Sequence, residues 1–280
     1  MRVVARVTGN PWWLAPLAAF RPEPDLSPEE KFLRLRNAAL ATPYFSRHGR
    51  AQDLRAATSL SQLPVLPLRE VLDCRSQFIN PNMSAGVGRL RIPFPTVCGA
   101  LIGRKLRLPE NFTFIENGSL GRLHLSPTRM LAATPAALRR ICAAVHSRFL
   151  ALPQLCEAVI VLQGIEEGTL FSGERDMLWN TLGVPVFEQW LGLDGELIAW
   201  ECGMHQGLHF QCDRAELEQI EGELVLTSWY GLCSPAPRLA TGWTAEFDPR
   251  ACRCGNSSPL LLDFTIQEPA PTPKVTFACA

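Results

Sequence analysis

The clearest hydrophobic pattern in the chain lies over residues 134–150, where Leu138, Ile141, Cys142, Val145 and Phe149 recur at helical spacing. That period predicts one buried helix face, capped at Thr134 with Pro135 in the first turn, where a missing N–H costs nothing. A second helix is predicted upstream. Ser27-Pro-Glu-Glu30 is a capping box, and Phe32, Leu33, Leu35 and Leu40 give the following turns an apolar side as far as Ala41. Thr42-Pro43 breaks that helix. Residues 60–67 read as an extended connector into a short helix at 69–74. Over 81–127, Gly, Pro and Arg are scattered without a period, which predicts loops and short strands.

The unbroken apolar run at 158–163 predicts a buried strand, 172–181 a helix and 184–189 another strand. Strand–helix–strand units of this kind build parallel sheets. Strands without helices follow at 196–202, 207–212, 222–229, 237–247 and 259–266, with a turn or short helix at 213–221. The fold class read from this order is α/β, with a parallel-sheet core and a β-rich carboxy-terminal half. The expected division is a helical and irregular part at 1–130, a core at 131–265 and a loose proline-rich tail at 266–280.

Composition narrows the function classes. With 280 residues, 47% of them hydrophobic, the chain can bury a full core. Net charge is zero, and the longest basic cluster is Arg-Lys-Leu-Arg at 104–107, so no nucleic-acid partner is expected. No apolar run reaches the roughly 18–20 residues of a membrane span, so no membrane partner is expected either. The run at 12–20 follows Gly-Asn-Pro and makes a poor secretory signal, and ten cysteines in so long a chain make no disulfide framework. The cytoplasm is the expected location. Cys98, Cys142, Cys156 and Cys233 lie among apolar neighbours and read as buried small hydrophobes, while His48, His124 and His146 read as lone surface groups. Glu166-Glu167, between Gly164 and Gly168, reads as a solvated charge pair.

The candidate chemistry is in the last third. Cys202 and His209 lie in one short segment, and Cys252-Arg-Cys254-Gly255 lies some way on. Two soft sulfur and nitrogen pairs on tight turns are what a closed tetrahedral zinc site requires. His205, three residues from Cys202, is a rival ligand to His209. Four protein ligands leave no open position for water, which makes the expected zinc structural.

Several phrases now line up in one order: Ala41-Thr-Pro-Tyr-Phe, Leu60-Ser-Gln-Leu-Pro-Val-Leu, Ala133-Thr-Pro-Ala-Ala-Leu, Gly183-Val-Pro-Val-Phe and Trp190-Leu-Gly-Leu-Asp194. After them come Ala199-Trp-Glu-Cys, Gly207-Leu-His209, the stretch 222–228, Pro237-Arg-Leu-Ala-Thr-Gly-Trp243 and Cys252-Arg-Cys-Gly255. Together they resemble the phenylacetate–CoA ligase branch of the adenylate-forming enzymes over 26–80 and 126–262. The resemblance implies a partial large domain of such a ligase, and a structural zinc at the cysteine and histidine motifs. It also implies a nucleotide-binding remnant at Trp190, Asp194, Arg238 and Trp243.

Departures from the family pattern weaken the implied activity. The phosphate-cradling loop is reduced to Met83-Ser-Ala-Gly-Val-Gly-Arg89, without its threonines and lysine. Leu193 replaces a threonine, Asp194 a glutamate and Trp243 a ribose-binding aspartate. The mobile carboxy-terminal domain with its catalytic lysine is expected to be missing, Lys274 is no substitute, and no residue is assigned as catalytic. The expected function is therefore a catalytically degenerate ligase-like binding or accessory module. The alternatives are a minimal active ligase forming an acyl-adenylate or acyl-CoA with ATP and Mg2+, or one subunit of a split ligase. A small carboxylic acid, a nucleotide, a protein partner or a second copy are the partners considered.

Overall fold

The amino-terminal helices form as their local signals dictate. In the computed structural model, which describes residues 26–47, 50–83, 88–96 and 98–266, α1 (Pro28–Leu40) opens on the full capping box. Ser27 Oγ accepts from Glu30 N–H at 3.2 Å, and Glu30 Oε2 accepts from Ser27 N–H at 2.8 Å. The break at Thr42 is followed by α2 (Pro43–Arg47), α3 (Ala51–Ala56) and α4 (Leu68–Asp73). Phe32 and Leu35 of α1 and Tyr44 and Phe45 of α2 enter one core with Trp229, Leu232 and Leu239. The run at 12–20, His48, most of the loop 83–89 and the tail with Lys274 lie outside the described residues.

Strands β1 (Gly99–Ile102) and β2 (Phe112–Ile115) precede the short α5 (Gly121–Leu125) and β3 (Met130–Ala133). Then follow α6 (Pro135–His146), β4 (Ala158–Gly164), α7 (Glu174–Leu182), β5 (Val186–Leu191), β6 (Leu197–Glu201) and β7 (Leu208–Phe210). The chain continues through β8 (Ala215–Ile220), β9 (Glu223–Ser228), β10 (Leu239–Ala240), β11 (Trp243–Asp248) and β12 (Leu260–Ile266). Nine strands form one sheet in the order β11-β12-β7-β6-β5-β4-β3-β1-β2, and β10-β9-β8 form a second. From β5 to β2 neighbours are parallel; from β5 to β11 they are antiparallel. The predicted strand–helix–strand unit is β4–α7–β5, paired from Val159↔Val186. The sheet spans both sides of position 130.

Helices α6 and α7 cover one face of the parallel half, where Leu138, Ile141 and Leu178 meet Leu131, Val159 and Val161. The second sheet packs on the antiparallel half through Leu224 and Leu226 against Ile198, Phe210 and Leu261.

The structure corrects five expectations. Helix α6 stops at His146, because Arg148 takes a left-handed φ of 58° and leaves Phe149 79% exposed. Residues 215–220 are a strand, paired along β9 from Ala215↔Ser228 to Ile220↔Glu223. The single strand expected at 237–247 divides at Gly242 (φ 73°), so that β10 and β11 enter different sheets. β3 is an additional strand, with all four residues buried. Cys142 and Cys233 are buried as expected, but Cys156 is exposed.

Candidate metal centre

Two short turns bring the sulfur atoms together. β6 runs directly into Cys202, where His205 N–H donates to Cys202 O at 3.0 Å and Met204 N–H donates to Cys202 Sγ at 3.4 Å. Ahead of β12, Gly255 N–H donates to Cys252 O at 3.0 Å and Asn256 N–H to Cys254 Sγ at 3.4 Å. Backbone N–H groups aimed at sulfur favour the thiolate. His209 lies on β7 between the two turns, opposite Trp200 of β6 and Leu260 of β12. β7 and β12 approach closely at Gly207, where a Cβ would stand 2.7 Å from Leu261 O.

The donor atoms of Cys202, His209, Cys252 and Cys254 all lie within 4.8 Å of one another. His209 is fully buried, Cys202 and Cys252 are buried, and Cys254 is half-buried. Cys202 Sγ and Cys252 Sγ are 3.7 Å apart, and Cys254 Sγ is 3.4 Å from His209 Nε2. A tetrahedral ion about 2.3 Å from sulfur and about 2.0 Å from nitrogen sets two sulfurs about 3.8 Å apart, and sulfur and nitrogen about 3.5 Å apart. The cluster therefore fits a metal ion of this geometry. Burial, with Cys252 and Cys254 adding to it, pushes the Cys202 thiol well above its ordinary range. An ion entering the cluster has to displace that proton. Burial also lowers the His209 pKa, as Arg91 does, with the Ser258 backbone opposing; no group among the described residues meets full hydrogen-bond geometry at Nδ1.

The rival His205 points elsewhere. Its Nδ1 lies 2.8 Å from Glu201 Oε1 and 3.0 Å from Arg175 Nη2, in a network that Glu188 completes. Arg175 Nη1 to Glu188 Oε1 is 2.7 Å, and Arg175 Nη2 to Glu201 Oε1 is 2.8 Å. One neighbour of the cluster carried no sequence signal. The Arg91 guanidinium lies 3.4 Å over the Trp200 ring, and that ring stacks on His209 at 4.7 Å and 29°.

The four residues of the nucleotide set are engaged within the fold. Trp190 is fully buried, 5.2 Å from the Trp243 ring and 4.9 Å from Phe264. Both indoles thus belong to the core between the sheets. Asp194, in the turn after β5, accepts from Cys233 N–H at 2.9 Å and Ser234 N–H at 3.1 Å through Oδ2. Arg238 makes a two-pronged pair with Glu218 at 2.8 and 2.9 Å and donates to Leu63 O.

Comparison with solved structures accounts for this architecture. The chain superposes on 2-hydroxyisobutyryl-CoA ligase in its open conformation with 2-HIB-AMP and CoA. The TM-score is 0.57 at 13% identity, over 84% of this chain and 68% of that one. The same ligase in the postadenylation state with R3-HIB-AMP gives 0.56 at 14% identity, over 84% and 66%. Over 84% of its length the chain has the fold of part of that CoA ligase. The chain spans about two thirds of the length of those ligases. No family model matches it, and no curated protein does.

In this ligase-like fold, the carboxyl ends of the parallel strands carry an ion-pair cluster where a solvated Glu166-Glu167 pair was expected. Arg104 pairs with Glu166 and with Glu167 (2.6 Å), Arg75 pairs with Glu166, and both arginines donate to Leu193 O at 2.7 and 3.1 Å. The Glu167 side chain is only 5% exposed. Burial raises its pKa against the pull of Arg104, whereas at Glu166 the two arginines outweigh burial and lower it. The described end of the segment 83–89 sits nearby. A Cβ on Gly88 would fall 1.6 Å from Gly195 O, in the turn that carries Asp194. Gly88→Ala is accordingly expected to destabilise the protein by about 1–3 kcal/mol, as overpacking does. A shift of the urea midpoint at constant slope would show it; an unchanged midpoint would mean that the turn yields freely.

Proposed function

We propose that this protein is a zinc-stapled, adenylate-forming-ligase-like module that binds or assists rather than adenylates. The observation that carries this reading is the packing of Trp190 on Trp243 in the core. These are the positions that the family resemblance assigns to adenine and ribose. An aspartate there would accept from two hydroxyls, whereas a buried indole fills that space and leaves a polar ligand unpaired, at about 1–3 kcal/mol per lost partner. Asp194 is held by two backbone N–H groups rather than free for Mg2+, and Arg238 by Glu218. Phosphoryl and adenylyl chemistry depends on cations placed at the departing pyrophosphate, and these engagements argue against such placement.

Zinc is the ion best suited to three sulfurs and one imidazole with no carboxylate in the set. Bound there, it would supply a cross-link between the β6–β7 turn and the lead into β12. Full coordination by protein leaves no site for an activated water, which supports a structural role. No helix among the described residues is long and apolar enough to cross a membrane.

Calorimetric titration of the metal-loaded protein with Mg-ATP, and separately with AMP, tests the reading. No heat at millimolar nucleotide is the expected result. Micromolar binding, followed by carboxylate-dependent exchange of pyrophosphate into ATP, would instead establish a minimal acyl-activating ligase. Exchange that arises only on adding a second protein chain would establish a split ligase.

A further inference from the structure

Loading a divalent cation onto three thiols and one neutral imidazole, with release of the three thiol protons to solvent, turns an uncharged cluster into one that carries one net negative charge. Here it would do so among buried residues. Buried charge is costly without a counter-charge close by. Arg91 has the complementary need. Arg91 is half-buried, and no carboxylate among the described residues pairs with it. The ionisable groups that favour its charged form are Cys254 and Cys202. Burial lowers its pKa to about 10, which still leaves it protonated at neutral pH.

The geometry is a three-layer stack: guanidinium, indole, imidazole. Arg91 lies 3.4 Å over Trp200, and Trp200 stacks on His209 at 4.7 Å with 29° between the ring planes. The arginine is held in place from behind by β5. Arg91 N–H donates to Gln189 Oε1 at 3.4 Å, and the Gln189 amide donates back to Arg91 O. Gln189 is the register partner of Trp200, so a single cross-strand pair positions both lower layers of the stack. A planar guanidinium suits an aromatic face better than an ammonium does, while either can supply the charge.

We propose that Arg91 is the counter-ion of the metal centre and raises its affinity for a divalent cation through charge. This inference rests on the metal reading above. It assigns a function to a residue 111 positions from the nearest ligand in sequence (202 against 91), and it makes the segment around Arg91 part of the site.

The test is competition for Zn2+ against a chelator of known affinity, with Co2+ absorption as a second readout. It is run on the full chain, on Arg91→Gln and Arg91→Met, on Arg91→Lys, and on Arg122→Gln, at an exposed position of α5, as a control for net charge. Circular dichroism of each metal-free protein checks folding. The two uncharged variants are expected to bind Zn2+ about 10- to 100-fold more weakly, the range found for groups just outside a metal's ligands. Arg91→Lys should stay within a few-fold of the parent, and Arg122→Gln should match it. Parent-like affinity in both uncharged variants overturns the proposal. So does a loss in Arg91→Lys equal to theirs, since packing rather than charge would then be responsible. A parent chain that binds no Zn2+ removes the metal reading itself, and the counter-ion with it.

Discussion

Cys254→Ser should lower bound zinc from about one per chain to near zero and lower the melting temperature on the order of 10 °C. The size follows from what a cross-link does to the unfolded chain. Cys202 and Cys252 are 50 residues apart in sequence and 3.7 Å apart in space. Closing a loop of that length removes unfolded-state entropy worth about 4 kcal/mol in the chain-entropy treatment, and a domain of this size loses about 2–4 °C per kcal/mol. Chelation of the parent should reproduce the shift, and adding the chelator to Cys254→Ser should produce no further one. Cys212→Ser, at an exposed cysteine outside the cluster, should change neither quantity. An unchanged metal ratio in Cys254→Ser would falsify the centre.

Trp190→Ala should cost about 3–5 kcal/mol of unfolding free energy, the usual penalty for emptying a large buried aromatic. Trp190 is fully buried and touches Trp243 and Phe264, so truncation leaves a void between the two sheets that those rings cannot fill without moving. Its Nε1–H is buried without a partner among the described residues, so Trp190→Phe gives up no hydrogen bond to them and should cost less. A nucleotide-stacking residue would behave in the opposite way, with little change in stability and a loss of ATP affinity. Denaturant unfolding of the two variants beside a Mg-ATP titration separates these roles. A stable Trp190→Ala that has lost measurable ATP binding would return the residue to a nucleotide site.

What was legible in the sequence was local. The capping box of α1 and the proline at the start of α6 were readable because their partners lie within one turn. β4 was readable from its length and apolar continuity. β3 was not: Met130–Ala133 is only four residues, contains no β-branched side chain and is buried on both faces, so it shows no alternation. Residues 215–220 contain Glu216, Glu218 and Gln219, which favour helix locally, and the six-residue register with β9 overrides that preference. The division at Gly242 depends on which sheet each side can join, and no short window of sequence carries that information. The candidate site divides along the same line. Its three cysteines sit on two short turns and His209 on the strand between them, with recognisable spacing, whereas Arg91 carries no motif and meets the cluster through Trp200. The burial of Trp190 and Trp243 against each other likewise depends on a contact across 53 positions (243 against 190).

The pairing of β7 with β12 consists of only two register pairs, Leu208↔Leu261 and His209↔Leu260. A junction that short is weakly specified by its own hydrogen bonds, and a slip of one residue would turn each side chain to the opposite face. It is also where the chain must insert its last described strand between two that came before it, β7 and β11. Cys252 and Cys254 precede β12 by a few residues, and His209 sits on β7 within the junction. A shift of one residue along the strand, about 3.3 Å, would pull both sulfurs off the tetrahedron that includes His209. A metal held there would therefore act as a proofreader of assembly: it could be captured fully only by chains whose final strand has docked in the correct frame.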